Sequence, residues 1–238
     1  MALQVEPLAP YAAALRDWHA GDHAATLRLT SSLGEDDTIP VSVFFRSEAD
    51  FFPFERYAVD LCRGRILDAG AGTGVHSLPL QERGFDVTAV ERLDEAVGIL
   101  RARGVRQVVH GDMFALEEPP YDTILMLMNG IGPVGTLAGL ERFLAEAGRL
   151  VAPGGQVLVD SGAAQPTGSA DPTDWPPPTP DAYTGEAWIR LGYDGVVGMP
   201  FRELYVDERT LCGRAERAGW GCTVVFEGEG GYLARLVR

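Results

Sequence analysis

The chain has 238 residues, with 34 acidic against 20 basic side chains and a formal net charge of −14. Every basic residue is Arg, so mechanisms that need lysine (a P-loop, a Schiff base, a lysine general base) are excluded, and the acidic balance without a basic run argues against a nucleic-acid partner. No stretch approaches the roughly 20 apolar residues of a membrane span, and MALQVEPLAP lacks a secretory pattern, so a cytoplasmic protein with no membrane partner is expected.

Residues 1 to about 33 read as helical, because Ala12, Ala13, Leu15, Trp18, Ala24, Leu27 and Leu29 recur at near-helical spacing. GEDDTIP (34–40) reads as a turn, VSVFFR (41–46) as a short β-prone run and FFPFERYAVDLC (51–62) as a second helix with Pro53 in its first turn. From Arg65 the pattern becomes alternating strands and helices, the mark of a parallel sheet. Strands are predicted at 65–70, 85–91, 105–112, 121–129 and 155–162, with helices near 74–83, 94–103 and 136–151. TILMLM is apolar on both faces, as a central strand covered on each side requires. Residues 163–181 are a proline-rich loop. EAWIRLGYD and FRELYVD read as a β-hairpin, DERTLCGRAERAG as a helix closed by Gly219, and GCTVVFEG with GYLARLVR as a final hairpin. Cys62, Cys212 and Cys222 are too few and too scattered for a disulfide frame or a zinc site, and each reads as a half-buried thiol.

The informative segment is Ile66-Leu67-Asp68-Ala69-Gly70-Ala71-Gly72-Thr73-Gly74. A buried strand enters a glycine-rich turn and a helix follows, so backbone can approach a ligand beside free N–H groups. A dinucleotide site wants G-x-G-x-x-G; here the spacing is G-x-G-x-G, and Val75 stands where the third glycine would be. The segment resembles the first motif of class I S-adenosylmethionine-dependent methyltransferases, and the likeness runs from about residue 65 to 162. The resemblance implies a Rossmann-like α/β fold with sheet order 3-2-1-4-5-7-6, strand 7 antiparallel and contributed by the last hairpin. It implies S-adenosylmethionine as cofactor, held by Asp68, Ala69, Gly70, Gly72 and Gly74, with S-adenosylhomocysteine as product. Glu91, ending VTAVE, would take the ribose hydroxyls. Asp112 and Met113 in HGDMF would meet the adenine, and Asn129, after the fourth strand at the ligand-binding edge, would complete the cofactor-binding set. Family members acting on base or protein amides often carry Asn-Pro-Pro-Tyr there; Asn-Gly-Ile-Gly puts such acceptors in doubt.

Methyl transfer from a sulfonium depends mainly on alignment and desolvation, so no catalytic residue is required and none is assigned. His76, beside the glycine loop, is a candidate base. His110 reads as structural, and His19 with His23 lacks a third metal ligand. The expected organisation is an N-terminal helical cap (1–62), a cofactor-binding core (63–162), an insertion on the substrate side (163–206) and a closing helix and hairpin (207–238). Phe44, Phe45 and Arg46 would fold over the cofactor. Trp175, Tyr183, Trp188, Arg190 and Tyr193 would either form an acceptor pocket or pack the insertion on the core. The expected function is methyl transfer to a small-molecule acceptor; the alternatives are a cofactor-binding regulatory protein without turnover or, less in keeping with Val75 and the closing hairpin, an NAD-dependent oxidoreductase.

Overall fold

The computed structural model describes residues 4–117, 120–177, 181–228 and 230–238. After a two-residue strand β1 (Gln4–Val5), helix α1 (Ala9–His19) starts with Pro10 in its first turn, and the chain leaves it through Gly21 at φ +115°. Here the expectation of helix to about residue 33 fails. Thr26–Ser31 is a strand, β2, and Asp36–Pro40, expected as turn, is its antiparallel partner β3. Leu27 and Leu29 stand two residues apart among threonines, which is strand spacing. The run at 41–46 is also not a strand: Val41–Phe44 forms a 3₁₀ turn entered from Pro40, with Val41 fully buried. Helix α2 (Pro53–Leu61) matches the expectation.

The core then alternates β4 (Arg65–Ala69), α3 (Ser77–Glu82), β5 (Asp86–Glu91), α4 (Asp94–Ala102), β6 (Gln107–His110), β7 (Tyr121–Met126), α5 (Leu137–Leu150) and β8 (Val151–Ser161). Neighbouring residues of one strand serve opposite layers. Leu67, Ile124 and Met126 pack with Phe143 and Leu144 of α5, whereas Ile66 and Leu125 pack with Ala58 and Val59 of α2 and Leu80 of α3. A strand buried on both faces must be apolar throughout, which is why TILMLM shows no alternation.

The proline-rich region leads to β9 (Glu186–Tyr193), β10 (Val196–Gly198) and β11 (Phe201–Leu204). Both β10 and β11 pair antiparallel with β9, as the predicted hairpin requires. The other edge of β9 pairs with β2, joining Leu29 to Leu191 and Ser31 to Ile189. The N-terminal strands and the insertion are therefore one sheet, antiparallel except where β1 runs parallel to β10. Its apolar face (Ala187, Ile189, Leu191, Leu27) packs on α1, whose Ala14 and Leu15 reach Ala96 and Ile99 of α4.

Helix α6 (Glu208–Arg217) is capped by Asp207, which accepts from Thr210 N at 2.9 Å, and is followed by Gly219 at φ +84°. Strands β12 (Gly221–Gly228) and β13 (Gly231–Val237) close the core sheet. Its order is β12-β13-β8-β7-β4-β5-β6, with β13 antiparallel to β8, which is the expected arrangement of a class I methyltransferase sheet. The reading of three separate thiols needs correction. Helix α6 lies against β12, and this brings Cys212 and Cys222 to a Cα–Cα distance of 5.1 Å in a disulfide; only Cys62 is free, its thiol pushed up to about 12 mainly by burial. No helix among the described residues is long and apolar enough to cross a membrane.

Candidate functional site

The carboxyl ends of β4, β5, β7 and β8 meet at one edge of the core sheet, where open α/β sheets bind ligands. The glycine turn leaves β4 there with Gly70, Gly72 and Gly74 all at positive φ (77°, 55° and 89°). It is pinned to its neighbour strand, because Gly70 N and Ala71 N both donate to Val90 O at 2.9 and 3.0 Å. Three glycines do three jobs. A Cβ at Gly70 would meet nothing within 4 Å, so this face of the turn is open. A Cβ at Gly72 would lie 3.8 Å from the Tyr11 hydroxyl of α1. A Cβ at Gly74 would lie 3.0 Å from both Leu100 and Val105, so Gly74 is there for packing and can meet a ligand only through its backbone. Gly74→Ala is accordingly expected to destabilise the fold by about 1–3 kcal/mol, from overpacking and the left-handed backbone, as read by urea denaturation.

Asp68, at the end of β4, lies beneath this turn and is 3% exposed. Burial pushes its carboxyl above the usual range, against the opposing effects of the His76 charge and of Ser77, whose hydroxyl donates to it at 2.6 Å. Glu91 ends β5. Its carboxylate accepts Gly72 N at 2.9 Å, Arg92 N at 2.7 Å and Leu93 N at 2.9 Å, so backbone amides fix its position. A carboxylate offers about four lone-pair directions, which leaves one for a ligand hydroxyl. Asp112 is exposed, caps the one-turn helix at Met113–Ala115 through Phe114 N at 2.9 Å, and faces Arg92 at 4.0 Å; Met113 is half-buried.

Asn129 follows β7 in a left-handed turn, with Met128 at φ 69° and Asn129 at φ 53°. The turn is held by Asp160 at the end of β8, whose two oxygens accept Asn129 N at 2.9 Å and Gly130 N at 2.8 Å. The Asn129 amide donates to Glu203 Oε2 at 3.2 Å and accepts from the Ser161 hydroxyl at 3.3 Å. Asn129 thus ties the core to β11 of the covering sheet. Burial pushes Asp160 up to about 6 despite the two backbone donors. Burial also raises Glu203, helped by the charge of Glu35 and opposed by its hydrogen bonds from Asn129 and Tyr205.

The residues at 44–46 do fold toward the glycine turn, each with a fixed partner. Phe44 meets Tyr11 edge-on at 5.0 Å, Phe45 stacks on Trp18 at 3.9 Å, and Phe44 O accepts from the Thr73 hydroxyl. Arg103 donates to Thr73 O at 2.7 Å. Arg46 is buried in an ion pair with Glu55, which is 0% exposed and also accepts Phe52 N at 2.8 Å and His76 Nε2 at 2.7 Å. Burial opposes the charge on Glu55, yet His76 and Arg46 outweigh it and hold the carboxyl below its usual range. His76, considered as a base, is therefore committed to a buried carboxylate.

The aromatic residues of the insertion pack rather than converge. Trp175 lies under Arg190 at 4.6 Å, Trp188 under Arg202 at 4.5 Å, Tyr183 donates to Asp207 at 2.6 Å, and Tyr193 to Asp17 at 3.2 Å. The side chains that do face the edge were not singled out from sequence: Tyr11, Asp160, Glu203 and Tyr205. Tyr11 is raised above its ordinary range by burial and by the nearby charge of Glu91. Asp160 had a usable signal, since it ends its strand as Asp68 and Glu91 end theirs.

A family profile described as a methyltransferase domain matches residues 66–155. The chain resembles a solved S-adenosylmethionine-dependent methyltransferase from Bacteroides fragilis, in complex with S-adenosyl-L-homocysteine, with a TM-score of 0.83 and 33% identity, covering 99% of this chain and 97% of that one. An uncharacterised methyltransferase of Mycobacterium tuberculosis is 33% identical over 91 residues, 36% of this chain and 37% of that protein. Glycine/sarcosine N-methyltransferase of Halorhodospira halochloris is 35% identical over 135 residues, 52% of this chain and 49% of that protein. The chain thus matches about a third to a half of the length of these two curated relatives.

Proposed function

The chain belongs to the class I S-adenosylmethionine-dependent methyltransferase family, and on that premise we propose that it transfers the cofactor's methyl group to a small-molecule acceptor by in-line displacement. The observation that carries this reading is the open glycine turn whose Gly72 N–H is held by Glu91. The donor set fits S-adenosylmethionine. The open space over Gly70 admits a ligand against backbone, Glu91 retains acceptor capacity for a ribose hydroxyl, and Asp68 is a buried acid beside the turn. When bound, the cofactor supplies a methyl group already activated on sulfur.

In this reading Glu91 takes the ribose, Asp112 and the Met113 N–H take the adenine, and Asp68 with Ala69, Gly70, Gly72 and Gly74 lines the methionyl end. Asn129 stands between cofactor and acceptor, because its amide is given to Glu203 and Ser161. Helix α2 and β4 to β8 with α6, β12 and β13 form the core unit, and α1 and β1 to β3 with β9 to β11 form its cover, which excludes water from the transfer. The acceptor is small, in the size class named by the glycine/sarcosine relative. A cytoplasmic location is part of the proposal; there the Cys212–Cys222 disulfide would meet reducing conditions, and alkylation of freshly lysed cells reads its state directly.

Titration calorimetry with S-adenosylhomocysteine tests the reading, and absence of binding at about 1 mM would refute it. Glu91→Ala is expected to weaken that binding at least about tenfold, since it removes a charged acceptor and the group that holds Gly72. Unchanged affinity would refute the placement of the ribose.

A further inference from the structure

Beyond the glycine turn, on the β8 side of Asn129, a cleft of about 240 Å³ opens at the same sheet edge. It is somewhat smaller than the roughly 300–1,000 Å³ of typical ligand pockets. Its walls are Phe54 of α2, Tyr205, and Phe226 and Tyr232 of the closing hairpin; Asn129 and Asp160 line its polar side. None of its lining residues among those described is basic. Resting on the methyl-transfer reading, we propose that this cleft is the acceptor site and that it selects a small primary or secondary amine, taken up as its ammonium form against the Asp160 carboxylate.

Four observations lead there. First, β7 lies between β4 and β8 in the sheet, so the cleft opens at the same edge as the glycine turn, with Asn129 at the end of β7 on its border. Second, Asp160 accepts from backbone N–H groups at Asn129, Gly130 and its own residue, which leaves one of its roughly four lone-pair directions for a ligand donor. Third, the rings of Phe54, Tyr205, Phe226 and Tyr232 offer apolar and π surface, which suits the carbon skeleton and the charge of an alkylammonium together. Fourth, the cleft is bordered mainly by acids, with His76 the one positive charge that reaches Asp160. Glu203 sits behind Asn129 and Tyr205, and the charge of Glu35 reaches both Glu203 and Tyr205. Arg46, which reaches Met128 Sδ at 3.5 Å, is already paired with Glu55. An anionic acceptor is repelled by this arrangement. A cationic one is stabilised by it, and the same acids offset the repulsion between an ammonium and a neighbouring sulfonium.

The step balances without any further reagent. The bound ammonium gives one proton to the Asp160 carboxylate, which passes it to water. The freed nitrogen lone pair forms the N–C bond as the S–C bond breaks with its electron pair remaining on sulfur. The methylated product leaves as an ammonium. The burial that raises Asp160 makes it a better proton acceptor than an ordinary aspartate.

The test uses the full-length protein saturated with S-adenosylhomocysteine, so that loss of cofactor binding is seen separately. Benzylamine and benzyl alcohol, equal in shape and different in charge, are titrated at pH 7. The amine is expected to bind at least about tenfold more tightly than the alcohol. Asp160→Asn and Glu203→Gln are each expected to narrow that ratio to below threefold while S-adenosylhomocysteine affinity stays within twofold; Glu203→Gln keeps the test valid if Asp160→Asn disturbs the turn at 129. With S-adenosylmethionine in place of the product, benzylamine is expected to be methylated. Equal binding of amine and alcohol, no binding of the amine to the loaded protein, or a ratio that survives both substitutions would overturn the proposal.

Discussion

Glu55→Ala is expected to lower stability by about 3–5 kcal/mol, because it strands a buried arginine. The Arg46 and Glu55 side chains are 6% and 0% exposed, and Glu55 also holds Phe52 N and His76 Nε2. Removing the carboxylate leaves a guanidinium, an imidazole and a helix-start amide without their acceptor beside the buried ring of Phe51. For a chain of this length the melting temperature should fall by about 6–20 °C. A thermal scan followed by circular dichroism measures it. The double variant Arg46→Met with Glu55→Leu should recover the part of the loss due to the stranded guanidinium, since replacing a whole buried pair by apolar groups is often neutral, while His76 and Phe52 N stay without their acceptor. A single variant that melts within about 2 °C of the parent would show that the pair contributes little.

The second large effect is at Asn129. Asn129→Ala should cost about 2–4 kcal/mol in urea denaturation, combining a left-handed backbone that alanine resists with the loss of partners for Glu203 and Ser161. Asn129→Gly separates the two causes. It accepts φ 53° and loses only the side-chain bonds, so it should be less destabilised than alanine by about 1 kcal/mol. Both variants should lower kcat/KM for the proposed transfer at least about tenfold, because β11 loses its link to the end of β7. Equal stability of the alanine and glycine variants would show that backbone strain at 129 is unimportant.

The contrast between core and cover explains what could be read from residues alone. Strands β4 to β8 were legible because each is an apolar run bounded by glycine or polar turns, and because the helices between them repeat at 3.6 residues. The glycine turn was legible because its spacing has a mechanical meaning. The cover was not legible in the same way. Leu27 and Leu29 fit a helix and a strand about equally well by local count, and what decides the matter is Leu191 and Ile189, far along the chain. Glu203 and Tyr205 were hidden for the same reason: the alternation of FRELYV reads as a strand, which in the fold holds Glu203 and ends just before Tyr205, and only the fold brings Glu203 beside Asn129. Glu55 gave no signal at all, since an acid in the first turn of a helix is ordinary on any surface. Cys212 and Cys222 lie ten residues apart, and only the return of β12 along α6 joins them.

The joining of β2 to β9 also has a consequence for synthesis. Thr30 meets Arg190 across 160 residues of chain. At about 5–20 residues per second, the ribosome needs on the order of ten seconds or more to deliver the partner of a hairpin it made at the outset. During that interval β2 and β3 present an unpaired edge, the feature most prone to sticking to other chains. The hairpin is equipped for the wait. Asp36 and Asp37 are both exposed on β3, and Arg28 on β2 closes on Asp36 at 2.7 Å, so the nascent edge carries charge before it carries neighbours.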